Sequence, residues 1–406
     1  MHSRLLFCLL SVISFTKTIP AQTPRANGDT TVYKWFSPGR ADTPVIEGQA
    51  WPREVQHPYD RLPARAEALV RKDVWGLSLQ SAGLMVRFMS DAPEIRVRYT
   101  ISGSQAMLHM PATGVSGVDL YASGPAGGWY WCGGQYSFKD TIGYRYIGLA
   151  PAPPDSRQKV NDPPSITRTG EPSSTAKTGF SSSKREYRLY LPLYTTVNYL
   201  EIGVPEGSSF QALPVRAGKP IVVYGTSIAQ GACASRPGMA WTAILGRRLD
   251  CPVINLGFSG NGRLEKEVID LLTEIDARLF VLDCLPNMIA TVGLSPEEVK
   301  TRIIAAVKAL RQRSKAPVLL VQHAGYTDGE INPVRKKLYT DVNQCMDQAF
   351  RQLQSEGIKQ VYLLSKAAIN LGNDMMVDGT HPSDLGMQRY ADAYEKCIRA
   401  IGSSSR

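Results

Sequence analysis

The chain has 406 residues, enough for two or three domains with their own cores. Its apolar content of 43% and charged content of 20% are ordinary for a soluble globular protein, and no apolar run beyond the N-terminus approaches the ~20 residues that span a bilayer. The formal charge of +10 is spread out, without a basic cluster or a nucleic-acid-binding motif, so it reads as solvated surface and argues against a nucleic-acid partner.

The first 21 residues, "MHSRLLFCLLSVISFTKTIPA", stand apart. Arg4 supplies a basic start, Leu5 to Phe15 an apolar stretch, and Ala21 a small residue before Gln22. This is the layout of a secretory signal peptide, and it implies export to the periplasm, the cell surface or the medium of a bacterium. A buried first helix is the alternative, but Pro20 and the polar residues after it do not continue one. Cys8 follows Phe7, where a lipidated cysteine needs small residues.

Residues 22–215 are rich in short β-type runs and turns. "IRVRYTI" (95–101) alternates apolar and polar residues, as a half-buried strand does. "GVDLYA" and "GWYWCGG" flank the turn residues 123–127 and predict a hairpin; "YRLYLPLY" and "VNYLEIGV" continue the style. Evenly spaced strands without helices predict an all-β sandwich. Residues 151–185, rich in Pro, Ser and Thr, read as a disordered insertion or a long loop.

Residues 216–406 alternate strands and helices, which marks an α/β domain. Strands are predicted at 220–224, 253–256, 278–283, 317–322 and 360–364. Between them, Ser295, Pro296 and Glu298 open a helix with a capping box, and Gly357 closes another. Five such strands joined by helices predict a parallel sheet covered on both faces, with any site beyond the C-terminal strand ends.

The chemistry collects at that edge. Ser227 in "YGTS" follows the first strand, and a serine hydroxyl becomes a useful nucleophile only beside a base that a third group orients. His381 in "VDGTHPSDLG" is the candidate base, with Asp378 three residues before it on the same turn. The competing reading makes Asp378 and Ser383 turn and cap residues, with His381 merely exposed. Acyl transfer also needs oxyanion donors. The Ser227 amide, the Gly260 amide in "NLGFSGNG" and the Asn287 side chain in "LDCLPNM" are the candidates. The glycines alone also suit a plain turn; neither a phosphate-loop nor a dinucleotide spacing is present.

This ordered set resembles the SGNH (GDSL-like) esterase and lipase family, whose four blocks supply Ser, Gly, Asn and His. They match here as "YGTS" with Ser227, "FSGNG" with Gly260, "CLPN" with Asn287, and "DGTH" with Asp378 and His381. The usual GDS is GTS, and the usual GxND is LPN without its aspartate. The pattern is similar to a bacterial subgroup with an N-terminal β-domain marked GxDLY, present as "GVDLY" (117–121). The resemblance spans roughly residues 30–150 and 186–401. It implies a flavodoxin-like hydrolase domain after the sandwich, a serine esterase working through an acyl-enzyme, and no metal or organic cofactor. Among its relatives are carbohydrate acetylesterases and lipases. The nucleophile motif is not the GxSxG of α/β-hydrolases, since Ala229 stands two residues after Ser227.

Other residues are less specific. His323, at the end of the fourth strand, is a candidate pocket residue without a nearby carboxylate in sequence. Cys233 reads as packing. Trp129, Tyr130 and Trp131 form either sandwich core or a sugar-stacking platform, and Asp119 has no readable role. Cys132, Cys233, Cys251, Cys284, Cys345 and Cys397 show no CxxC or zinc spacing and no assignable disulfide. The expected function is an exported carbohydrate O-acetylesterase acting on acylated glycans. The rivals are a lipase or thioesterase on longer chains, and a carbohydrate-binding protein with an inactive esterase domain. Oligomeric state has no sequence signal.

Overall fold

Period-two alternation builds the N-terminal domain. In the strand Glu94–Ser102, Ile95, Val97 and Tyr99 are buried while Arg98 is exposed, as a strand with one face on a core requires. The computed structural model describes residues 30–125, 127–150 and 184–404. The signal-peptide reading of residues 1–21, and nearly all of the 151–185 insertion, lie outside the described residues. From Tyr33 onward the chain forms one unit.

The strands of the first half are β1 (Tyr33–Phe36), β2 (Ile46–Glu47), β3 (Met85–Ser90), β4 (Glu94–Ser102), β5 (Asp119–Ser123) and β6 (Trp129–Cys132). They continue as β7 (Gln135–Ser137), β8 (Ile142–Ile147), β9 (Arg185–Tyr190), β10 (Thr196–Pro205) and β11 (Phe210–Ala212). One antiparallel sheet runs β1-β10-β4-β8-β7; the other runs β11-β3-β9-β5-β6, with β2 beside β3. Val86, Leu120 and Leu189 from one and Val97, Tyr144 and Leu200 from the other share a core, which makes a β-sandwich. The predicted hairpin is present, with Leu120 opposite Cys132. Arg185, placed in the insertion by composition, instead opens β9 because its backbone pairs with Ser90.

The expectation of a helix-free first half is corrected. Helix α1 (Lys72–Ser78) and the single-turn α2 (Ala112–Val115) lie there. The reason for α1 is tertiary. Trp51, Leu62, Ala66, Val70 and Val74 are buried in a core shared with the second half of the chain, so this segment packs as part of the α/β layer.

The second half contains β12 (Ile221–Gly225), β13 (Val253–Gly257), β14 (Leu279–Asp283), β15 (Val318–Val321) and β16 (Val361–Leu364), all parallel, in the order β13-β12-β14-β15-β16. Its helices are α3 (Ser227–Gln230), α4 (Trp241–Arg248), α5 (Lys266–Leu272), α6 (Pro296–Arg313), α7 (Pro333–Ser355), α8 (Lys366–Ile369) and α9 (Asp384–Ser404). The apolar run of β12 feeds both faces. Ile221 and Val223 join Trp241 of α4 and Tyr390 and Tyr394 of α9; Val222 and Tyr224 join Ile303 of α6 and Val342 of α7. A strand buried on both sides has no room for alternation, which is why it reads as continuous apolar sequence.

Ser295 caps α6 by accepting the Glu298 N–H at 3.2 Å. The reciprocal arm of the expected capping box is replaced: the Glu298 carboxylate takes Arg302, one turn on, at 2.6 Å. All six cysteines among the described residues are free thiols. No described helix is long and apolar enough to cross a membrane.

Candidate active site

Ser227 sits where β12 turns into α3. Thr226 caps that turn, its Oγ1 accepting the Ile228 N–H at 3.3 Å. As the first helical residue, Ser227 has no intrahelical acceptor for its own N–H. The turn carries the hydroxyl past the C-terminal edge of the sheet, the edge at which open parallel sheets bind their ligands.

His381 meets it there. Its Nε2 lies 2.8 Å from Ser227 Oγ, and its Nδ1 lies 2.7 Å from Asp378 Oδ2. Asp378 Oδ1 accepts the N–H groups of Thr380 at 3.0 Å and His381 at 2.8 Å. Partial burial pushes the Asp378 carboxyl up, but the hydrogen bonds from His381 and Thr380 outweigh it and leave the pKa below its ordinary value. An ionised carboxylate can only accept, so the His381 proton resides on Nδ1 and Nε2 is free to accept from Ser227. The loop itself is pinned: the Val377 N–H reaches His381 O at 2.8 Å, and Arg335 donates to Gly379 O and Thr380 Oγ1 at 3.2 and 3.1 Å.

The two remaining oxyanion candidates lie on neighbouring loops. Gly260 has φ +69°, a left-handed conformation that glycine adopts without strain, and its N–H has no acceptor among the described residues. Asn287 is buried and donates one amide N–H to Phe258 O at 3.3 Å, leaving the other for a ligand. Gln230 accepts the Ser259 N–H at 3.0 Å and so ties the Gly260 loop to α3.

His323 does not join this group. It is buried against the rings of Tyr326 and Tyr339, and its Nδ1 accepts the Gly325 N–H at 2.9 Å. Burial first, then Lys366 and Arg335, pushes its pKa down to about 3, so the ring is neutral. Among the described residues no hydrogen bond links it to Ser227, Asp378 or His381.

Several residues without a sequence signal support the site. His109, from the first half of the chain, stacks on His381 with ring centroids 5.9 Å apart. Arg61 is fully buried, with no carboxylate partner among the described residues. It donates to the carbonyls of Leu77, Gln80, Asn255 and Gly257 at 2.6 to 3.0 Å and lies over the Phe258 ring. Burial pushes its pKa down to about 9. Arg71 grips Asn261 Oδ1 at 2.8 Å and Glu265 at 2.6 Å. Both arginines act on backbone and loop atoms, so residue type alone gives no clue to them.

The GVDLY segment acquires a role. Asp119 Oδ2 accepts from Arg236 at 2.6 Å and from the Gly238 N–H at 2.9 Å, and its other oxygen accepts from Trp131. Burial pushes this carboxyl up, with Arg236 opposing. Leu120 points into the sandwich core, and Tyr121 lies under Arg247 and accepts from Arg236. A Cβ at Gly238 would overlap Tyr121, so only glycine permits this approach. Neighbouring Ser235 is bound through its N–H and hydroxyl by Asp384, the first residue of the helix behind His381. The aromatic run divides: Trp129 packs against the core under Arg188, Trp131 is half-exposed with Arg236 over its ring, and Tyr130 is exposed.

Residues 218–399 match the GDSL-like lipase/acylhydrolase family, and residues 33–210 match the GxDLY family, the N-terminus of SGNH-hydrolase-type esterases. A protein from Bacteroides ovatus designated a GDSL-like lipase is 27% identical, with a TM-score of 0.77 over 92% of this chain and 98% of its own. A salicylyl-acyltransferase from a tetracycline biosynthetic pathway (17% identity, TM-score 0.67, 91% and 98% covered) shares the fold. So does a family two carbohydrate esterase from Cellvibrio japonicus (10% identity, TM-score 0.52, 91% and 98% covered). No curated protein sequence matches the chain. The two family matches cover the sandwich and the α/β layer in turn, and the chain therefore belongs to the GDSL-like lipase/acylhydrolase family, as an ester-hydrolysing serine hydrolase with a GxDLY N-terminal domain.

Proposed function

We propose that the protein is an exported esterase that removes small acyl groups, acetyl above all, from carbohydrates. The observation that carries the catalytic part is the unbroken relay from Ser227 Oγ through His381 to Asp378, at 2.8 and 2.7 Å. Ser227 attacks the ester carbonyl while His381 Nε2 takes its proton. The tetrahedral oxyanion is held by the amides of Ser227 and Gly260 and the side chain of Asn287. His381 returns the proton to the departing alcohol, and water repeats the sequence on the acyl-enzyme. Asp378 keeps the ring oriented and stabilises the imidazolium.

The substrate reading rests on three supports. The Leu5–Phe15 segment suits export towards extracellular glycans. Half-exposed Tyr130, Trp131 and Tyr136 on the sandwich offer faces on which sugars stack. The Cellvibrio carbohydrate esterase has the same architecture. A second reading, hydrolysis of longer acyl chains, is favoured by the Bacteroides protein designated a lipase. A chain-length series at a constant leaving group separates them. Acetyl esters should give the highest kcat/KM, with a steep fall by butyryl and acetate released from an acetylated oligosaccharide. Preference for octanoyl esters, with no acetate from any glycan, would establish the lipase reading instead. Mature protein recovered from its native host should begin near Gln22; cytosolic protein retaining Met1 would refute export.

A further inference from the structure

Four metal-ligating side chains from three distant segments converge beside the catalytic serine. His109, Cys233, Asp378 and His381 each bring one donor atom, and these atoms all lie within 4.8 Å of one another. We propose that they form a binding site for a thiophilic divalent cation, zinc foremost, and that the bound ion switches the hydrolase off.

The donor chemistry selects the ion. Two imidazoles, a thiolate and a carboxylate are the ligand types of tetrahedral zinc, whereas magnesium and calcium seek oxygen shells. With Zn–N about 2.0–2.1 Å and Zn–S about 2.3 Å, neighbouring donors around the ion stand roughly 3.3–3.8 Å apart. The widest pairs therefore need to close by about 1 Å, while Asp378 Oδ2 and His381 Nδ1, 2.7 Å apart, would have to open if both bind through these atoms. His109, which is exposed, is placed to close in. Buried Cys233 is the fixed corner. Its backbone is left-handed, φ 68°, in the turn after α3, where the Ala234 N–H closes on Gly231 O at 3.1 Å. The two single-sign charges of Cys233 and Asp378 neutralise a divalent ion, so binding leaves no net buried charge.

Occupancy removes the base. The Cys233 thiol gives up its proton to water and binds as thiolate. An ion on His381 Nε2 occupies the lone pair that faces Ser227. An ion on Nδ1 displaces the ring proton to Nε2, which then confronts Ser227 as a donor. In both cases the Ser227 hydroxyl keeps its proton and no acyl-enzyme forms. This consequence rests on His381 being the general base; the binding itself does not.

The full-length enzyme, stripped with EDTA and dialysed, is titrated with Zn²⁺ and separately with Co²⁺. The expected results are one ion per chain by calorimetry, a thiolate-to-cobalt charge-transfer absorption, and loss of ester hydrolysis that EDTA reverses. Mg²⁺ should not inhibit. Cys233→Ala should abolish the cobalt band. Cys233→Ala and His109→Ala, each normalised to its own metal-free rate, should raise the zinc concentration for half-inhibition by at least about tenfold. Absence of stoichiometric binding, absence of the thiolate band, or wild-type half-inhibition in His109→Ala would overturn the proposal. Should Cys233→Ala fail to fold, the wild-type band and the exposed His109→Ala variant decide. A chain that binds one ion with the thiolate band yet is inactive when metal-free would keep the site and refute the esterase reading.

Discussion

Ser227, Gly260 and Asn287 follow three adjacent parallel strands, and Asp378 and His381 lie on the turn before the last helix. The first half of the chain reaches the same place differently. Arg61 and Arg71 grip the Gly260 loop, His109 covers His381, and Asp119 holds the 236–238 turn whose neighbour Ser235 is bound to Asp384. The α/β half carries the candidate catalytic atoms; the first half holds the loops that bear them. A sheet edge aims side chains well, but its loops are long, and such loops keep a catalytic geometry only when neighbouring groups lock them.

The largest expected effect comes from the reacting half. Ser227→Ala should lower kcat by about 10⁴–10⁶ while the folded state persists, and His381→Ala should match it because the two act as a unit. Near-wild-type turnover by either folded variant would show that the relay is not the catalyst. The strongest test of the holding half is Asp119→Ala. It leaves Arg236 without its buried carboxylate, a loss of about 3–5 kcal/mol in stability. Urea unfolding measures this, and an unmoved midpoint would mean that the GVDLY contact is idle. Asp119→Asn keeps an acceptor for Gly238 and should fall between the two.

Asn287→Ala distinguishes aiming from anchoring. Loss of one oxyanion donor lowers kcat by about 10²–10³ with little change in KM. If Asn287 only braces Phe258, stability would fall and kcat would hold. The smallest effect concerns Asp283, at the end of β14, buried against the Tyr394 hydroxyl at 2.9 Å. Burial raises its pKa to about 6 from an ordinary 3.8. Below the ordinary value both folded and unfolded states are protonated and nothing is lost. Stability then falls as pH rises towards 6, by roughly 3 kcal/mol at most, and levels off above. Asp283→Asn cannot ionise, so its stability relative to wild type should climb over that interval and then stay flat. A difference independent of pH would mean that the group titrates normally.

The sequence by itself determined the two domain classes, the strand positions of the parallel sheet to within a residue or two, and the candidate serine, histidine and aspartate. The reason is that these signals are local. Strands buried on both faces must be apolar throughout, a turn after a strand must carry the side chain that leaves the sheet, and Asp378 and His381 stand three residues apart on one loop. Tertiary structure alone decided what holds that loop set in place. Arg61 looks like any surface arginine until four carbonyls surround it, α1 looks like part of a β-region until Val74 meets the α/β core, and His323 looks like a pocket residue until Tyr326 and Tyr339 enclose it. Asp119 had no role until Arg236, 117 residues away in sequence, met it. Each is defined by partners distant along the chain, and burial by distant partners leaves no trace in local periodicity or spacing.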